Sequence, residues 1–567
     1  MNLTSERKTF GAIEFQVLWA RLVTIVDEVA ITLENTAFSS VVRDNRDYAC
    51  GLYDASGDML VQATTSTTGQ VGAMTSVMHD FLGEYPVDSL SPGDVLITND
   101  PWIGCGHTPD IYIATPIFLE GSVVGFSTNS AHHIDIGGRL ASPDAREVYE
   151  EGIIIPMCKL YDGGSANETI FKILTRNVRM SDKVIGDLRA QIAANHVGAK
   201  RVLEMMRERG LGTLTDLSAQ ILDQSEQSMR AAITEVPDGT YEHTAELDES
   251  DTAGNPIVIK ARVDVAGDEI TVDFSGTSPQ VEYPINCVYN ITFSFVMFAI
   301  KCALRPHIPN NVGCYRPIHF HAPEGSILNA RFPAAVMWRT DVCYYITEAI
   351  FGALSQVIPG RVKASSGTYP LWLTIFAGQS EDGQPFVAHF NASGGQGARH
   401  ELDGPSTTVF PGNIQNTPIE LLESDTPLLC EKKALVPNSG GAGRYRGGNS
   451  QEVVIRNLGN EVVVGSVVGG RYHNGPVGFA GGQRGFRGEV QVNDDPPFER
   501  SRGVSLAKGD RLRLRLPGGG GFGDPRGRDV QAAIDDVRQG LVSRAKIETD
   551  YGLELESQGP ESGKHED

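Results

Sequence analysis

Between Asn99 and Gly138 the chain spells out a hairpin with its most reactive side chains at the open end. Asp110 to Phe118, DIYIATPIF, has the β-branched and aromatic content of a strand. Leu119-Glu120-Gly121-Ser122 reads as a turn, and Val123 to His132 as the returning strand. Folding about that turn brings Asp110 back beside His132. A three-residue loop, Glu120 to Ser122, would set the two directly opposite with side chains on one face. A two-residue loop would set them on opposite faces, so the register calls for the longer loop or a bulge. His107, three residues before Asp110, lies at the same end. The stretch holds three of the 13 histidines, His107, His132 and His133, and three aspartates, Asp100, Asp110 and Asp135. Neutral imidazole and carboxylate are the ligands that a catalytic divalent metal takes.

His107, Asp110 and His132 thus converge by local geometry alone. Asp47, in Arg46-Asp47-Tyr48-Ala49-Cys50, is a candidate fourth ligand. Nothing local demands it, since an aspartate ahead of a strand commonly serves as a cap or a surface charge. His133 and Asp135 are expected to stand behind the ligands or to act as an acid/base pair on activated water. Packed or exposed histidines are the plainer reading of His132-His133, and Asp100 before Pro101 reads as a turn cap.

Helical spacing of Phe15, Leu18, Leu22, Ile25, Val26, Val29 and Leu33 predicts a helix over 12–36. A hairpin follows, Tyr48 to Tyr53 and Met59 to Ala63, then a helix over 70–84 and a short strand Val95-Leu96-Ile97 after the Ser91–Asp94 turn. Residues 183–235 read as helical almost throughout and stop at Val236-Pro237-Asp238-Gly239. Strands are expected from Gly239 to Phe274, buried helices over 288–304 and 341–357, and strands with glycine turns over 405–516. The end beyond Gly552 is polar and acidic and reads as disordered. This is an α+β chain without regular βαβ alternation, helix-rich at its N-terminal metal region and β-rich towards its C-terminus. Expected units are 1–236, a metal-binding domain; 237–404, a central α+β region; 405–527, a β-rich region; and 528–567, a helical segment and tail.

The net charge of −23 argues against a nucleic-acid partner. No run of about eighteen apolar residues could span a membrane. The start, MNLTSERKTFGAIEFQ, lacks the apolar core of a secretory signal, and the eight cysteines form no CxxC pair. Both point to a cytoplasmic protein with reduced thiols. Gly518, Gly520 and Gly523 make a formal GxGxxG after the strand-like Leu512–Leu516. No helix follows directly, so the run reads as a structural turn. Neither an ATP-binding GxxxxGK[ST] loop nor a Gly-x-Ser-x-Gly elbow occurs.

Taken in order, these motifs resemble the B-type subunits of the hydantoinase/oxoprolinase family. The likeness rests on Arg46–Cys50, Gly93-Asp94-Val95 with Asn99-Asp100-Pro101, His107–Asp110, and His132–Gly138. It continues through Pro284–Cys287, Ile308–Cys314, Ser439–Gly448 and Pro517–Pro525. The family includes N-methylhydantoinase, caprolactamase, 5-oxoprolinase, and the acetone and acetophenone carboxylases. The resemblance implies a metal at Asp47, His107, Asp110 and His132, with zinc favoured and manganese or iron as alternatives. It also implies an A-type partner with an actin-like ATPase fold that binds ATP, in a hetero-oligomer. In the lactam-hydrolysing members that partner phosphorylates the amide oxygen and the metal subunit delivers water. In the carboxylase members a ketone becomes an enol phosphate and meets carbon dioxide.

The leading expectation is therefore the metal-bearing subunit of an ATP-dependent cyclic-amide hydrolase acting on a hydantoin, oxoproline or lactam. A ketone carboxylase subunit is the alternative, and a scaffold subunit with a lost site a third reading. Two departures from the family bear on the substrate. Gln70 stands where members often carry histidine, and Trp338-Arg339-Thr340-Asp341-Val342 replaces a Gly-Asn and Thr-rich segment. Trp338, Tyr344 and Tyr345 would suit an aromatic or bulky substrate, or simply a core.

Overall fold

The structure is a computed structural model describing residues 9–139, 142–369, 371–380, 382–498 and 504–554, without the side chains of 465–468. The acidic tail expected to be disordered, 555–567, lies outside the described residues. The fold is mixed α+β, with four sheets among the described residues.

The first sheet carries the site. Its strands are β1 (Tyr48–Asp54), β2 (Met59–Gln62), β3 (Val95–Thr98), β4 (Asp110–Leu119), β5 (Ser122–His132), β6 (Cys158–Asp162) and β7 (Ser165–Ala166), in the order β2-β1-β5-β4-β3-β6-β7. Helices cover both faces. α1 (Ala12–Thr36), α2 (Ser40–Arg43), α3 (Thr68–Glu84), α5 (Ser181–Arg209) and α6 (Thr215–Ile233) meet its strands, while α4 (Glu168–Asn177) packs on α5, α7 (Tyr289–Leu304) on α3 and α8 (Thr340–Leu354) on α7. Alternation along the strands sorts the core. Tyr48, Cys50 and Leu52 join α1 and α5 in one apolar cluster; Ala49 and Tyr53 join α3 and α7 in another. On β4, Ile111 and Ile113 pack on Leu188 and Ile192 of α5, while Tyr112 and Ala114 face the α3 side. An antiparallel sheet covered on both faces needs apolar residues on both, which is why β1 and β4 lack polar–apolar alternation.

The expected helices over 12–36 and 70–84 are α1 and α3, and those over 288–304 and 341–357 are α7 and α8. The span 183–235 is two helices rather than nearly one. α5 ends at Gly210, which adopts φ 61°, and the chain restarts as α6 after Leu214. A left-handed C-terminal glycine ends a helix without a Cβ clash.

A second sheet, β8 (Gly239–Ser250), β9 (Pro256–Ala266), β10 (Glu269–Asp273) and β11 (Ile318–His321), packs on α8. A third joins β12 (Trp372–Gln379), β13 (Pro385–Ala392), β16 (Val462–Val468) and β18 (Val504–Leu506). A fourth joins β14 (Leu428–Leu435), β15 (Gln451–Asn457), β17 (Glu489–Val492) and β19 (Arg511–Arg515). The third and fourth share one core, in which Trp372, Phe376 and Phe390 meet Val453, Ile455, Leu512 and Leu514. Beside it the 518–521 glycines run between other backbones. Their amides donate to Phe486, Gly448, Ser365 and Gln483 carbonyls, and a Cβ on Gly519 would come 1.8 Å from the Gln396 carbonyl oxygen. The glycine run is a packing device with no opening for a phosphate.

Candidate metal centre

The β4–β5 hairpin pairs Asp110 with His132. Its loop is two residues long, not three: Glu120 and Gly121 both take positive φ, 51° and 87°, as a tight I′ turn requires. A bulge at Ile117/Phe118 inserts one extra residue on β5 and returns both side chains to one face. β1 lies on the other side of β5. The His132 amide donates to the Asp47 carbonyl (3.0 Å), so Asp47, His132 and Asp110 stand abreast at the ends of three neighbouring strands. All three side chains face α3.

The 99–109 loop adds His107 and Cys105. Asn99 clamps it by donating to the Thr108 (2.6 Å) and Ile153 (2.9 Å) carbonyls, and the Cys105 amide donates to Tyr112 Oη (3.0 Å). Asp100 caps its own turn through the Trp102 amide (2.9 Å), as expected. Asp110 is the hub. His107 Nδ1 lies 3.1 Å from Asp110 Oδ2, His132 Nδ1 3.3 Å from Oδ1, and Asp47 Oδ2 3.8 Å from His132 Nδ1. Arg339, at the start of α8, reaches Asp110 Oδ2 at 3.1 Å and Cys105 Sγ at 3.1 Å. Gln70 of α3 donates from Nε2 to Asp47 Oδ1 (3.2 Å) and Asp110 Oδ1 (3.1 Å).

Burial and charge set the protonation states. Burial would raise Asp110, but His107, His132 and Arg339 outweigh it and hold the carboxyl well below its ordinary range. Burial lifts Asp47 to about 6 against the pull of His132. Burial, with Arg339, drops His107 to about 3, so this imidazole is neutral near pH 7. Burial also keeps Cys105 a thiol, which donates to Asp110 Oδ2.

The donor set fits a divalent cation. Cys105, His107 and Asp110 offer ligand atoms within 4.8 Å of one another. Gln70 Oε1 is buried without a hydrogen-bond partner, and such an acceptor is costly unless something satisfies it. Asp47 and His132 stand on the same side of Asp110.

His133 and Asp135 go elsewhere. One residue past His132, His133 alternates to the α5 face, where Nε2 meets Gln191 Oε1 at 2.9 Å. The Gln191 amide group already donates to Ile111 O (2.9 Å) and Asn129 Oδ1 (3.0 Å). His133 must therefore carry its proton on Nε2, leaving Nδ1 buried and unpartnered. Asp135 is spent on the Gly137 amide (2.9 Å) and on Arg179, whose Nη1 donates at 3.0 Å.

These groups border a cavity of about 90 Å³. Its polar corner holds Asp47, Gln70, His107, Asp110 and His132. Ile291, Phe295, Trp338, Tyr344, Leu373 and Ile375 make the opposing wall. Trp338 and Tyr344 thus face the cavity, whereas Tyr345 lies under Arg471 (4.5 Å) away from it. From β13, His389 brings its ring within 5.5 Å of His132, and burial lowers it to about 3.

The sequence matches the Hydantoinase B/oxoprolinase family over residues 11–525. The chain belongs to this family. It is 31% identical to the caprolactamase subunit beta of Pseudomonas jessenii over 572 residues, covering 97% of each chain. A solved structure, the ATP-dependent caprolactamase from Pseudomonas jessenii, superposes with TM-score 0.89 at 30% identity, over 97% of this chain and 98% of that one. A nucleotide-free acetone carboxylase structure gives TM-score 0.85 at 21% identity, over 95% of this chain and 79% of that one, a likeness of fold.

Sequence reasoning missed Cys105, Arg339 and His389. Cys105 had a local signal, two residues before His107. The other two come from distant segments, and only packing brings them to Asp110 and His132. No helix among the described residues is long and apolar enough to cross a membrane.

Proposed function

We propose that this chain is the metal-bearing subunit of an ATP-dependent hydrolase of cyclic amides, working with an A-type partner that binds ATP and phosphorylates the substrate. The observation that carries the reading is the convergence of Asp47, His107, Asp110 and His132 in a cavity whose other wall is apolar. Those four residues would hold the metal, zinc before manganese or iron, and when bound it would supply Lewis-acid activation of water near neutral pH. Phe295, Trp338 and Leu373 hold the hydrocarbon part of a ring and exclude bulk water. Gln70 Oε1, pointed by the two hydrogen bonds of Nε2, accepts an amide N–H. His133, held through Gln191 on the α5 face behind His132, acts as a positioning residue for the His132 end of β5. Asp135 acts as a positioning residue, holding the 135–138 turn on Arg179. Arg339 balances the charge of Asp110.

Relatives with this match are a caprolactamase subunit and a caprolactamase structure, both nearly end to end. Co-purification with the A-type partner and assay of ATP turnover test the reading. Hydantoins or lactams should stimulate turnover, with stoichiometric metal on this chain. Stimulation by a ketone with bicarbonate, and by no cyclic amide, would overturn it in favour of a carboxylase.

A further inference from the structure

Helices α3 and α7 present two faces. Gly69, Gln70, Ile291 and Phe295 border the metal cavity, while Gly72, Ser294, Phe298 and Lys301 border a second one of about 300 Å³. The segment 409–414 helps to close both.

Lys301, in the last turn of α7, lines this second cavity and is partly buried. Lys363 lies behind the same wall, its Nζ 3.5 Å from the centroid of the Phe410 ring and 3.0 Å from Gln396 Oε1. Burial pulls both lysines below their ordinary range, Arg399 adds to this at Lys363, and neither lysine makes an ion pair with a carboxylate among the described residues. That is anomalous in a chain of net charge −23. Acidic side chains outnumber basic ones 71 to 48, yet neither lysine is paired with one, and a buried charge is costly unless paired.

The opposite side of the cavity is polar. Asn310 Nδ2 donates to Gln62 Oε1 (2.6 Å) and Tyr315 Oη (2.6 Å). That leaves the Gln62 amide group and the Tyr315 hydroxyl hydrogen as donors. Asn310 Oδ1 is buried with no partner and needs one donor in return. A ligand here must bring negative charge, several acceptors and one hydrogen.

We propose that this cavity binds a small oxyanion carrying a proton, of the hydrogen phosphate class, with Lys301 as its charge partner. The site is separate from the metal cavity and does not depend on the reading of the reaction.

The test is calorimetric titration of inorganic phosphate into the metal-loaded full chain, wild type against Lys301→Met. Saturable one-to-one binding is expected, weakened at least about tenfold in the variant. Sulfate, unprotonated near neutral pH, should bind more weakly than phosphate to the wild type. No saturable binding by the wild type overturns the proposal, and so does sulfate binding as tightly as phosphate. Phosphate held by the metal would be indifferent to Lys301, so unchanged affinity in Lys301→Met also overturns it. If that variant does not fold, a phosphate-soaked crystal of the wild type decides. Density within hydrogen-bond distance of Lys301 Nζ supports the site, and density found only elsewhere refutes it.

Discussion

The two cavities share helices α3 and α7 but treat buried charge in opposite ways. In the metal cavity, Asp110 touches His107, His132, Gln70, Cys105 and Arg339, so each charge has a partner on another element. At the second cavity, Lys301 in its lining and Lys363 behind its wall make no ion pair with a carboxylate among the described residues. An internally balanced cluster keeps its shape without a ligand. An unbalanced one trades stability for a vacant binding capacity. Removing a charge should therefore harm the first and relieve the second.

The largest effect belongs to the hub. Asp110→Asn should abolish stoichiometric metal by elemental analysis and lower kcat/KM of the complex by about 10³-fold or more, roughly 4 kcal/mol. It also leaves Arg339 buried without its carboxylate, at a cost of about 3–5 kcal/mol in denaturant unfolding. A variant with full metal content would break the balanced-cluster picture. Next is His133→Ala. Metal content should hold while kcat falls about tenfold to 10²-fold, the scale of a lost outer hydrogen-bonding partner. Equal loss of metal and activity would move His133 among the ligands.

Lys301→Met should change stability in the other direction. In phosphate-free buffer it should unfold about 1 kcal/mol less readily, a rise of roughly 1–3 °C in Tm. A large fall would show that the ammonium is already compensated.

The last prediction concerns Glu151, which borders the metal cavity and accepts from the Val336 (2.8 Å) and Met337 (2.9 Å) amides. Burial raises it from 4.5 to about 8. Between those values the folded chain holds a proton that the unfolded chain has released. The stabilisation is complete below about pH 4.5 and is lost as pH rises towards 8. Scanning calorimetry should show Tm falling across that window, and Glu151→Gln should flatten the fall.

Much of the site was legible because its first half is local. Asp110 and His132 are the ends of one hairpin, so strand alternation and loop length nearly dictated their meeting. The bulge was one of the two solutions that the register allowed. Asp47 was weaker as sequence, since pairing of β1 with β5 is a long-range choice, and family resemblance supplied it. The break at Gly210 was missed because the apolar spacing of α5 and α6 runs on either side of five connecting residues. Arg339 and His389 were invisible, since nothing near them in the chain refers to Asp110. Trp338 and Tyr344 border the cavity, but their neighbour Tyr345 points away because adjacent residues on a helix face different directions.

By itself the sequence determined the elements, the hairpin that sets His107, Asp110 and His132 together, and the family. Those follow from short-range periodicity, turn chemistry and ordered motifs. Tertiary structure alone decided which face each side chain serves. It turned His133 towards Gln191, closed the metal cavity with Arg339 and His389 from other segments, and left Lys301 without a counter-charge. Electrostatic balance is a property of what surrounds a charge in space, and the chain order of the neighbours does not encode it.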